Sequence, residues 1–420
     1  MKKIIVMSIV ASSMLLASGY RIPEQSTAST AKAAAHVAHI TGADASYFNP
    51  AAMSTLSNKS QLEMGATIIH LPAVDFNGTG AESYKSEKEN FLLPYMHYVS
   101  PKVDKYTFGL SMVAPAGLSK RWKDPVPRTS AQEFSLRVVE INPTVAYEVN
   151  SDFSIGGGLR IIYSDGIVKS NGTAPVDLTA FGLGINYSDI ARDMTGDTIE
   201  FGYNLALHYH PNNDWTVGLT YRSEINLNEE GQATLTNTTT TPIGAIAAGS
   251  YIGSTSVSVP VPAVLALGVA YDISEKTNIE FVIDRTYWSA YGSLDFKYPT
   301  TLANNILIGA FDDVKYKNWK NVNAYRIGVT HQYSDKLTLM GGFAYDETPV
   351  PDSTIGYELP DSDAFLISGG FSYKMDEQLT IGAAYLYDKK ESRAATVGGT
   401  IGEFSDGGAH MFNFSLGYTF

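Results

Sequence analysis

The sequence predicts an all-β protein, a 14-stranded antiparallel transmembrane β-barrel with a small, partly helical N-terminal hatch that plugs the lumen. Composition is the first reason. Of the 420 residues, 44% are hydrophobic and 11% aromatic but only 17% are charged, an unusual balance for a soluble domain. Alternation is the second, because apolar and polar residues alternate along many segments, whereas no run of 18 apolar residues follows the N-terminus. An export signal is the third.

Residues 1–19 have the features of a secretory signal peptide. Lys2 and Lys3 form a basic start, a short apolar stretch follows over 4–10, and small residues lie near Ala17 and Gly19. A membrane anchor is the alternative, but the apolar stretch is too short to span a bilayer. The rest of the chain is therefore expected to be exported.

Residues 20–59 are predicted to form the hatch, because they lack strand alternation. The Ala-rich stretch 30–35 favours short helices. His36 and His39 are spaced so that both could bind one metal ion, but no third ligand is near in sequence. No metal and no cofactor are expected.

Residues 60–420 are predicted to form the barrel. Between Lys105 and Met112, Tyr106 and Phe108 fall on one strand face and Thr107 on the other. A soluble sandwich also alternates, but aromatic strand ends, alternating short and long turns and a final strand ending in Phe420 favour a membrane barrel. Fourteen strands are predicted, near 60–71, 91–100, 105–122, 133–150, 151–168, 198–212, 214–229, 256–273, 277–295, 318–334, 336–348, 362–375, 377–390 and 407–420.

The third predicted strand contains an interruption. Pro115 cannot donate a ladder hydrogen bond, and Gly117 permits a bulge. Together with Ala116 they predict a kink and a local hole in the barrel wall. The alternative is that the strand ends there in a loop.

Two long outer loops, about 171–197 and 230–255, carry apolar residues. Exposed apolar side chains are unfavourable unless they meet each other or a ligand. The loops are therefore interpreted as a lid, a ligand-capturing groove, or both. The capture candidates are Phe181, Leu183, Ile246 and Tyr251.

Several pieces of the sequence resemble the long-chain fatty-acid transporter (FadL) family of outer-membrane proteins, in the order in which that family has them. The resemblance spans nearly the whole mature chain. It rests on Gly19-Tyr20, Asn49-Pro50-Ala51, Pro94 to Pro101, Gly117-Leu118 with Trp122, Thr220 to Glu224, Trp288-Ser289, Trp319-Lys320 with Ala324-Tyr325-Arg326, Asp346 to Pro351, and Leu359-Pro360-Asp361.

This resemblance implies passive uptake of long-chain fatty acids or similar hydrophobic compounds across the outer membrane of a Gram-negative bacterium. It also implies lateral release into the membrane through the kinked third strand. In the hatch, Asn49, Pro50 and Ala51 close the plug, and Asn49 is expected to satisfy backbone groups freed by the kink. A monomer is expected, whose partners are the hydrophobic ligand and outer-membrane lipid.

A fatty acid needs a cation for its carboxylate. Arg160, Arg222 and Arg326 lie on the polar strand face and are predicted to point inward, where they contact ligand or pair with acids such as Glu148 or Asp346. The resemblance points to Lys320 as a further carboxylate partner.

The sequence departs from the family pattern on the fifth strand. The family's other carboxylate-binding Arg would fall near Ser170, and the closest basic residue is Lys169. A shift of one residue reverses the strand face. Uptake of uncharged aromatic hydrocarbons by the same fold therefore stays open.

Other classes of function are less well supported. The net charge of −13 argues against a nucleic-acid binder, and the absence of Cys excludes disulfides and thiolate metal sites. His97, His331 and His410 are scattered without a nucleophile motif, so no enzyme is expected. A surface receptor or adhesin with the barrel as scaffold is a third hypothesis, for which a hatch would be superfluous.

Overall fold

The computed structural model describes residues 19–56, 58–80, 82–177, 179, 184–238, 249–300, 302 and 305–420. Apart from Gly19, the predicted signal peptide lies outside these ranges, as do the capture candidates Phe181, Leu183 and Ile246.

Antiparallel strands dominate the described residues. Their bounds are β1 Gln61–Leu71, β2 Asp75–Gly78, β3 Ser83–Lys85, β4 Glu89–Val99, β5 Tyr106–Arg121, β6 Glu133–Asn150, β7 Phe153–Asp177, β8 Ile185–Tyr209, β9 Trp215–Arg222, β10 Ile225–Asn237, β11 Gly249–Val261, β12 Val264–Ser274, β13 Thr277–Thr286, β14 Ser293–Leu294, β15 Lys315–Tyr316, β16 Val322–Gln332, β17 Leu337–Asp346, β18 Ala364–Lys374, β19 Leu379–Lys390, β20 Arg393–Val397, β21 Thr400–Ser405 and β22 Gly408–Thr419.

The helices are short. They are α1 Thr27–Ala31, α2 Ala45–Phe48, α3 Pro125–Ala131 and α4 Asn305–Phe311, with 3₁₀ turns at Pro50–Thr55 and Trp288–Ala290. None of the helices in the described ranges is long and apolar enough to cross a membrane.

Fourteen of the described strands close the barrel, as the sequence predicts. Their order is β1, β4, β5, β6, β7, β8, β9, β12, β13, β16, β17, β18, β19 and β22. Closure comes from β22, which pairs with β1 from Gln61↔Thr419 to His70↔His410. Every barrel strand therefore has two neighbours, and the sheet closes on itself.

The apolar strand face points outward. Phe108, Leu159 and Phe281 are each more than half exposed, whereas their polar neighbours Thr107 and Arg160 are buried inside. An apolar outer surface is stable only against lipid, so the alternation marks a membrane barrel and not a soluble sandwich.

The predicted outer loops are mostly strand, which corrects the sequence-based bounds. β7 and β8 stay paired out to Asp177↔Ile185, so the predicted loop 171–197 is largely a hairpin. The predicted strand 214–229 divides after Arg222, and β10 leaves the barrel to pair with β8 and β11. Likewise the predicted strand 256–273 divides at Pro262, which has no N–H to donate to a ladder.

The hatch occupies the lumen. α1 packs against β18 and β19, and the 3₁₀ turn Pro50–Thr55 packs against β6 and β7 on another side of the barrel. α1 begins with a capping box between Ser26 and Ser29. The Ala-rich stretch 30–35 favours helix, but α1 ends at Ala31, and Ala33 and Ala34 adopt left-handed backbone angles with φ of 49° and 60°.

Glycines let the hatch chain approach the wall. A Cβ at Gly156 of β7 would lie 2.8 Å from the carbonyl carbon of Pro50. A Cβ at Gly342 of β17 would collide with the Lys32 backbone. The wall lacks side chains where the plug passes closest.

Candidate functional site

The barrel wall has a gap between β4 and β5. The two strands pair over only four residue pairs, from Met96↔Met112 to Val99↔Gly109. Beyond these pairs β4 remains paired with β1 up to Glu89, and β5 remains paired with β6 up to Arg121. Residues 89–95 and 113–119 therefore face each other across the gap without a ladder.

A bulge lies at the base of this gap. Opposite β6, the register shifts between Val113 and Ala116, so one extra residue is accommodated at Ala114-Pro115. Bulges bend the strand that carries them, and proline removes a ladder donor. Pro115, Ala116 and Gly117, the residues at which a kink is predicted, lie where β5 leaves β4.

The upper end of the gap is closed. The hydroxyl of Ser119 donates to the carboxylate of Glu89 at 2.6 Å. The backbone N–H of Glu87 donates to the carbonyl of Arg121 at 2.9 Å. The gap is thus a window in the wall and not a split along the whole strand.

Residues 20–25, which we name the front segment, line the window from inside. The N–H of Ile22 donates to the carbonyl of Pro115, and the N–H of Gly117 donates to the carbonyl of Tyr20, both at 2.9 Å. The Gln25 amide donates to the carbonyl of Ala114 at 2.8 Å and accepts from its N–H at 3.0 Å. The front segment thus supplies partners that β4 does not.

Asn49 does not satisfy the freed groups of β5, contrary to the prediction. Its amide donates to the carbonyls of Val37 at 2.8 Å and Leu207 at 3.1 Å, and its oxygen accepts from the N–H of Ala51. Asn49 thus holds the turn at Pro50 against β8. Gln25 takes the role because the front segment, and not the Asn-Pro-Ala turn, passes the window.

An inner cavity of about 710 Å³ reaches from the window into the lumen. Pro115 borders it on the window side, and Arg160 and Arg222 border it on the opposite wall. The front segment contributes Arg21 and Ile22 to its lining.

Arg160 and Arg222 share one carboxylate. Glu140 of β6 accepts from Arg160 at 3.0 Å and also pairs with Arg222, whose guanidinium lies 4.2 Å from the ring centre of Tyr47. The sequence predicts Glu148 as a partner for these arginines, but Glu148 pairs with Lys102. Two guanidinium groups on one carboxylate leave an excess of positive charge at this wall of the cavity.

Arg326 is fully compensated. It donates to Asp284 at 2.9 Å and to Asp346 at 3.2 Å, and its third bond goes to the hatch carbonyl of Ala33 at 3.1 Å. The predicted pairing with Asp346 is present. Arg326 is therefore placed to hold the hatch and not to attract an anion.

An outer cleft of about 550 Å³ lies on the other side of the front segment. Its lining is mainly apolar and includes Leu118, Phe134, Met194 and Phe296. Tyr20 closes its inner end, where its ring packs on Trp288 at 4.6 Å and its hydroxyl donates to the carbonyl of Pro260. The front segment therefore separates the outer cleft from the inner cavity.

The predicted lysines lie away from both cavities. Lys320 is exposed, and Lys169 pairs at the rim with Glu133 at 3.6 Å and Asp193 at 3.8 Å. Lys317 is instead buried, paired with Glu358, and lines a small cavity of about 290 Å³ beside Tyr20. No feature of the sequence distinguishes Lys317 from Lys320.

The described capture candidate, Tyr251, lies on β11. Its hydroxyl donates to the carbonyl of Ser254 at 2.6 Å, and its ring packs edge-on against Tyr298 at 5.4 Å. Tyr251 thus stiffens the hairpin beside the outer cleft.

The chain matches a known family of outer-membrane proteins. Residues 8–420 match the family model described as outer membrane protein transport protein (OMPP1/FadL/TodX). The chain is 26% identical over 402 residues to a long-chain fatty acid transport protein of Escherichia coli O6:H1, covering 89% of this chain and 87% of that one.

Solved structures share the fold. A Pseudomonas aeruginosa FadL homologue is similar with a TM-score of 0.81 at 21% identity, over 96% of this chain and 99% of that one. The P. putida toluene transporter TodX is similar with a TM-score of 0.72 at 17% identity, over 94% and 97%. Because the family model covers nearly the whole length, the chain belongs to the OMPP1/FadL/TodX family of outer-membrane transport proteins, which confirms the predicted resemblance.

Proposed function

We propose that this outer-membrane protein is a passive channel for hydrophobic compounds, which enter the outer cleft, pass the front segment and leave sideways into the membrane. The observation that carries the proposal is the window between β4 and β5, which opens where the inner cavity reaches Pro115. A ligand that leaves through the wall stays in an apolar surrounding. Its path needs no energy input, because partitioning into lipid drives it.

Long-chain fatty acids are the ligands that we propose first. The excess positive charge of Arg160 and Arg222 beside Glu140 supports a carboxylate in the inner cavity. The relative from E. coli is named as a long-chain fatty acid transport protein.

Uncharged aromatic hydrocarbons are the second candidate. The apolar lining of the outer cleft supports them, because such a ligand brings no charge that needs a partner. A structural neighbour, TodX, is named as a toluene transporter.

The proposal assigns a role to each of three parts of the chain. Residues 1–19 are the signal peptide, 20–59 the hatch and 60–420 the barrel. The channel works as a monomer and releases its ligand to outer-membrane lipid.

Deleting Pro115 tests lateral release. Without the extra residue, β5 pairs straight with β6, and its upper half comes back into register beside β4. Uptake of radiolabelled oleate and toluene by cells lacking their own transporter is expected to fall to background. The matched control deletes Ile273, the extra residue of the bulge between Asp272 and Ser274 at the opposite end of the barrel. Unchanged uptake after deletion of Pro115 would contradict release through the window.

The Arg222→Gln variant separates the two ligands. It leaves Arg160 alone with Glu140, so the excess charge of the inner cavity disappears. Oleate uptake is expected to fall about tenfold or more while toluene uptake persists. Lys320→Ala, assayed beside it, reports whether the residue that the sequence predicts has any part in the path.

A further inference from the structure

Arg192 is a largely buried cation without a partner in the described part of the chain. It lies on the inward face of β8, between Ile190 and Met194, which are both buried. Within the described ranges no hydrogen bond or ion pair reaches its guanidinium, and its Nε atom is buried with no acceptor. Buried polar groups are nearly always hydrogen-bonded, since an unmet donor destabilises the fold.

Aromatic rings hold this guanidinium in place. Its central carbon lies 5.0 Å from the ring centre of Phe296 and 5.4 Å from that of Phe311. Stacking of this kind uses the flat face of the guanidinium and leaves the N–H donors at its edge free. The side chain is thus positioned but not satisfied.

A second unsatisfied group lies beside it. Ser170 of β7 is the direct cross-strand partner of Arg192, so both side chains lie on the same face of the hairpin. Ser170 is buried, and its hydroxyl also has no hydrogen-bond partner among the residues that the structure describes. Two neighbouring donors without an acceptor match the two oxygens of a carboxylate.

This pair adjoins the outer cleft. The next pair inward on the same face of the hairpin is Val168↔Met194, and both residues line the cleft, as does Phe296. Farther inward the lining contains the carboxylate of Glu229, which accepts from Ser164. A ligand carboxylate is attracted by Arg192, and the cleft inward of this residue is mainly apolar, so the apolar tail of the ligand points inward.

We propose that Arg192, with Ser170, is the head-group site of the outer cleft and that the ligand it takes is an amphipathic long-chain carboxylate. The inference rests on the proposed function, since it takes the outer cleft as the place of capture.

Equilibrium binding to the purified full-length protein in phosphatidylcholine nanodiscs tests the site, with binding to empty nanodiscs subtracted. The probes are tritiated oleate and tritiated methyl oleate, which differ in the charge of the head group. Arg192→Gln is expected to weaken oleate binding roughly tenfold to a hundredfold and to leave methyl oleate binding unchanged. Arg192→Lys, which keeps the charge but loses the planar donors, is expected to lie between the two. Lys297→Gln is the control, because Lys297 is an exposed cation next to Phe296 that pairs with Asp295.

The outcomes separate the inference from the proposed function. If Arg192→Gln binds oleate as the wild type does, or loses both probes equally, Arg192 is not a head-group site and only the inference is overturned. If the wild type binds neither probe, capture of hydrophobic ligands is overturned as well. Heat-modifiable migration on gels confirms that each variant forms a barrel.

Discussion

The two parts of the hatch are held in the lumen by different forces. The front segment, 20–25, is joined to the wall by backbone and Gln25 amide bonds at the window, by packing of the Tyr20 ring on Trp288, and by an ion pair from Arg21 to Asp284 at 3.1 Å. The rest of the hatch, 26–55, which we name the rear segment, is anchored by buried charges. Lys32 pairs with Glu280 of the barrel strand β13 at 3.1 Å, and both side chains are buried.

This difference indicates which part can move. Backbone bonds at a strand edge can be exchanged for bonds to another strand or to water at small cost. Displacing the rear segment would strand buried charges, which costs several kcal/mol. The segment that separates the outer cleft from the inner cavity is therefore the weakly held one.

Removing Glu280, which anchors the rear segment, should have the largest effect on the local stability of the hatch. Glu280 accepts from Lys32 and from the N–H groups of Val37 at 2.7 Å and Ala38 at 2.6 Å. Glu280→Ala leaves the Lys32 charge buried alone, and we expect a loss of about 3–5 kcal/mol in local stability. Hydrogen exchange of residues 30–40, measured by mass spectrometry, gives this value.

A double-mutant cycle supplies the control. If the charge pair is the anchor, Glu280→Ala combined with Lys32→Ala should cost less than the sum of the two single changes. Strict additivity, or unchanged exchange in Glu280→Ala, would contradict the contrast between the two segments.

The second prediction concerns Glu24, a buried acid whose negative charge destabilises the front segment. Burial raises the pKa of Glu24 to about 7, although the positive charge of Arg326 lowers it, and one carboxylate oxygen of Glu24 has no hydrogen-bond partner in the described part of the chain. Because the pKa of Glu24 is higher in the folded protein, Glu24 does not destabilise the fold below about pH 4.5. Its destabilising effect grows as the pH rises through 7. Glu24→Gln should therefore stabilise the front segment by up to about 3 kcal/mol at pH 8.

The same change should have much less effect at pH 5. Burial lowers the pKa of His39 to about 4, so His39 destabilises the hatch as the pH falls from 6.5 toward 4. This contribution is common to both proteins and cancels in their difference. Hydrogen exchange of residues 20–25 at the two pH values measures the difference, and equal stabilisation at both would show that burial does not raise the pKa of Glu24.

The smallest effect is expected from Gln25→Ala. This change removes two hydrogen bonds to Ala114 and should weaken the front segment by about 1–2 kcal/mol. Exchange at residues 20–25 and 114–117 should accelerate together, and oleate uptake should rise. Gln232→Ala, an exposed position on β10, serves as the control. Faster exchange without faster uptake would mean that the front segment is not the gate.

The barrel could be predicted from the sequence because lipid imposes a period of two on each strand. The same pattern cannot show where the membrane ends. β7 continues past Tyr163 as a paired strand to Asp177, since a hairpin in water also alternates. For this reason alternation predicts outer loops that are too long and does not reveal the β10–β11 hairpin.

Polar partners were harder to predict. Glu140 and Glu148 lie on the same face of β6, so alternation places both inward and does not choose between them. The choice depends on depth in the barrel, where Glu140 meets Arg160 and Arg222 and Glu148 meets Lys102. The Ser170–Arg192 pair depends on the register between two strands, which a single sequence does not reveal.

Because of the glycines that face the hatch, the residues allowed in the barrel wall depend on the path of the hatch backbone. An alanine at Gly342 or Gly156 would collide with the hatch backbone at Lys32 or Pro50. Neither glycine can therefore be replaced while the hatch keeps its present path through the lumen. A hatch transplanted from a relative needs the wall positions of that relative as well. Chimeras that exchange only one of the two are expected to assemble with the plug displaced, even though both parents fold.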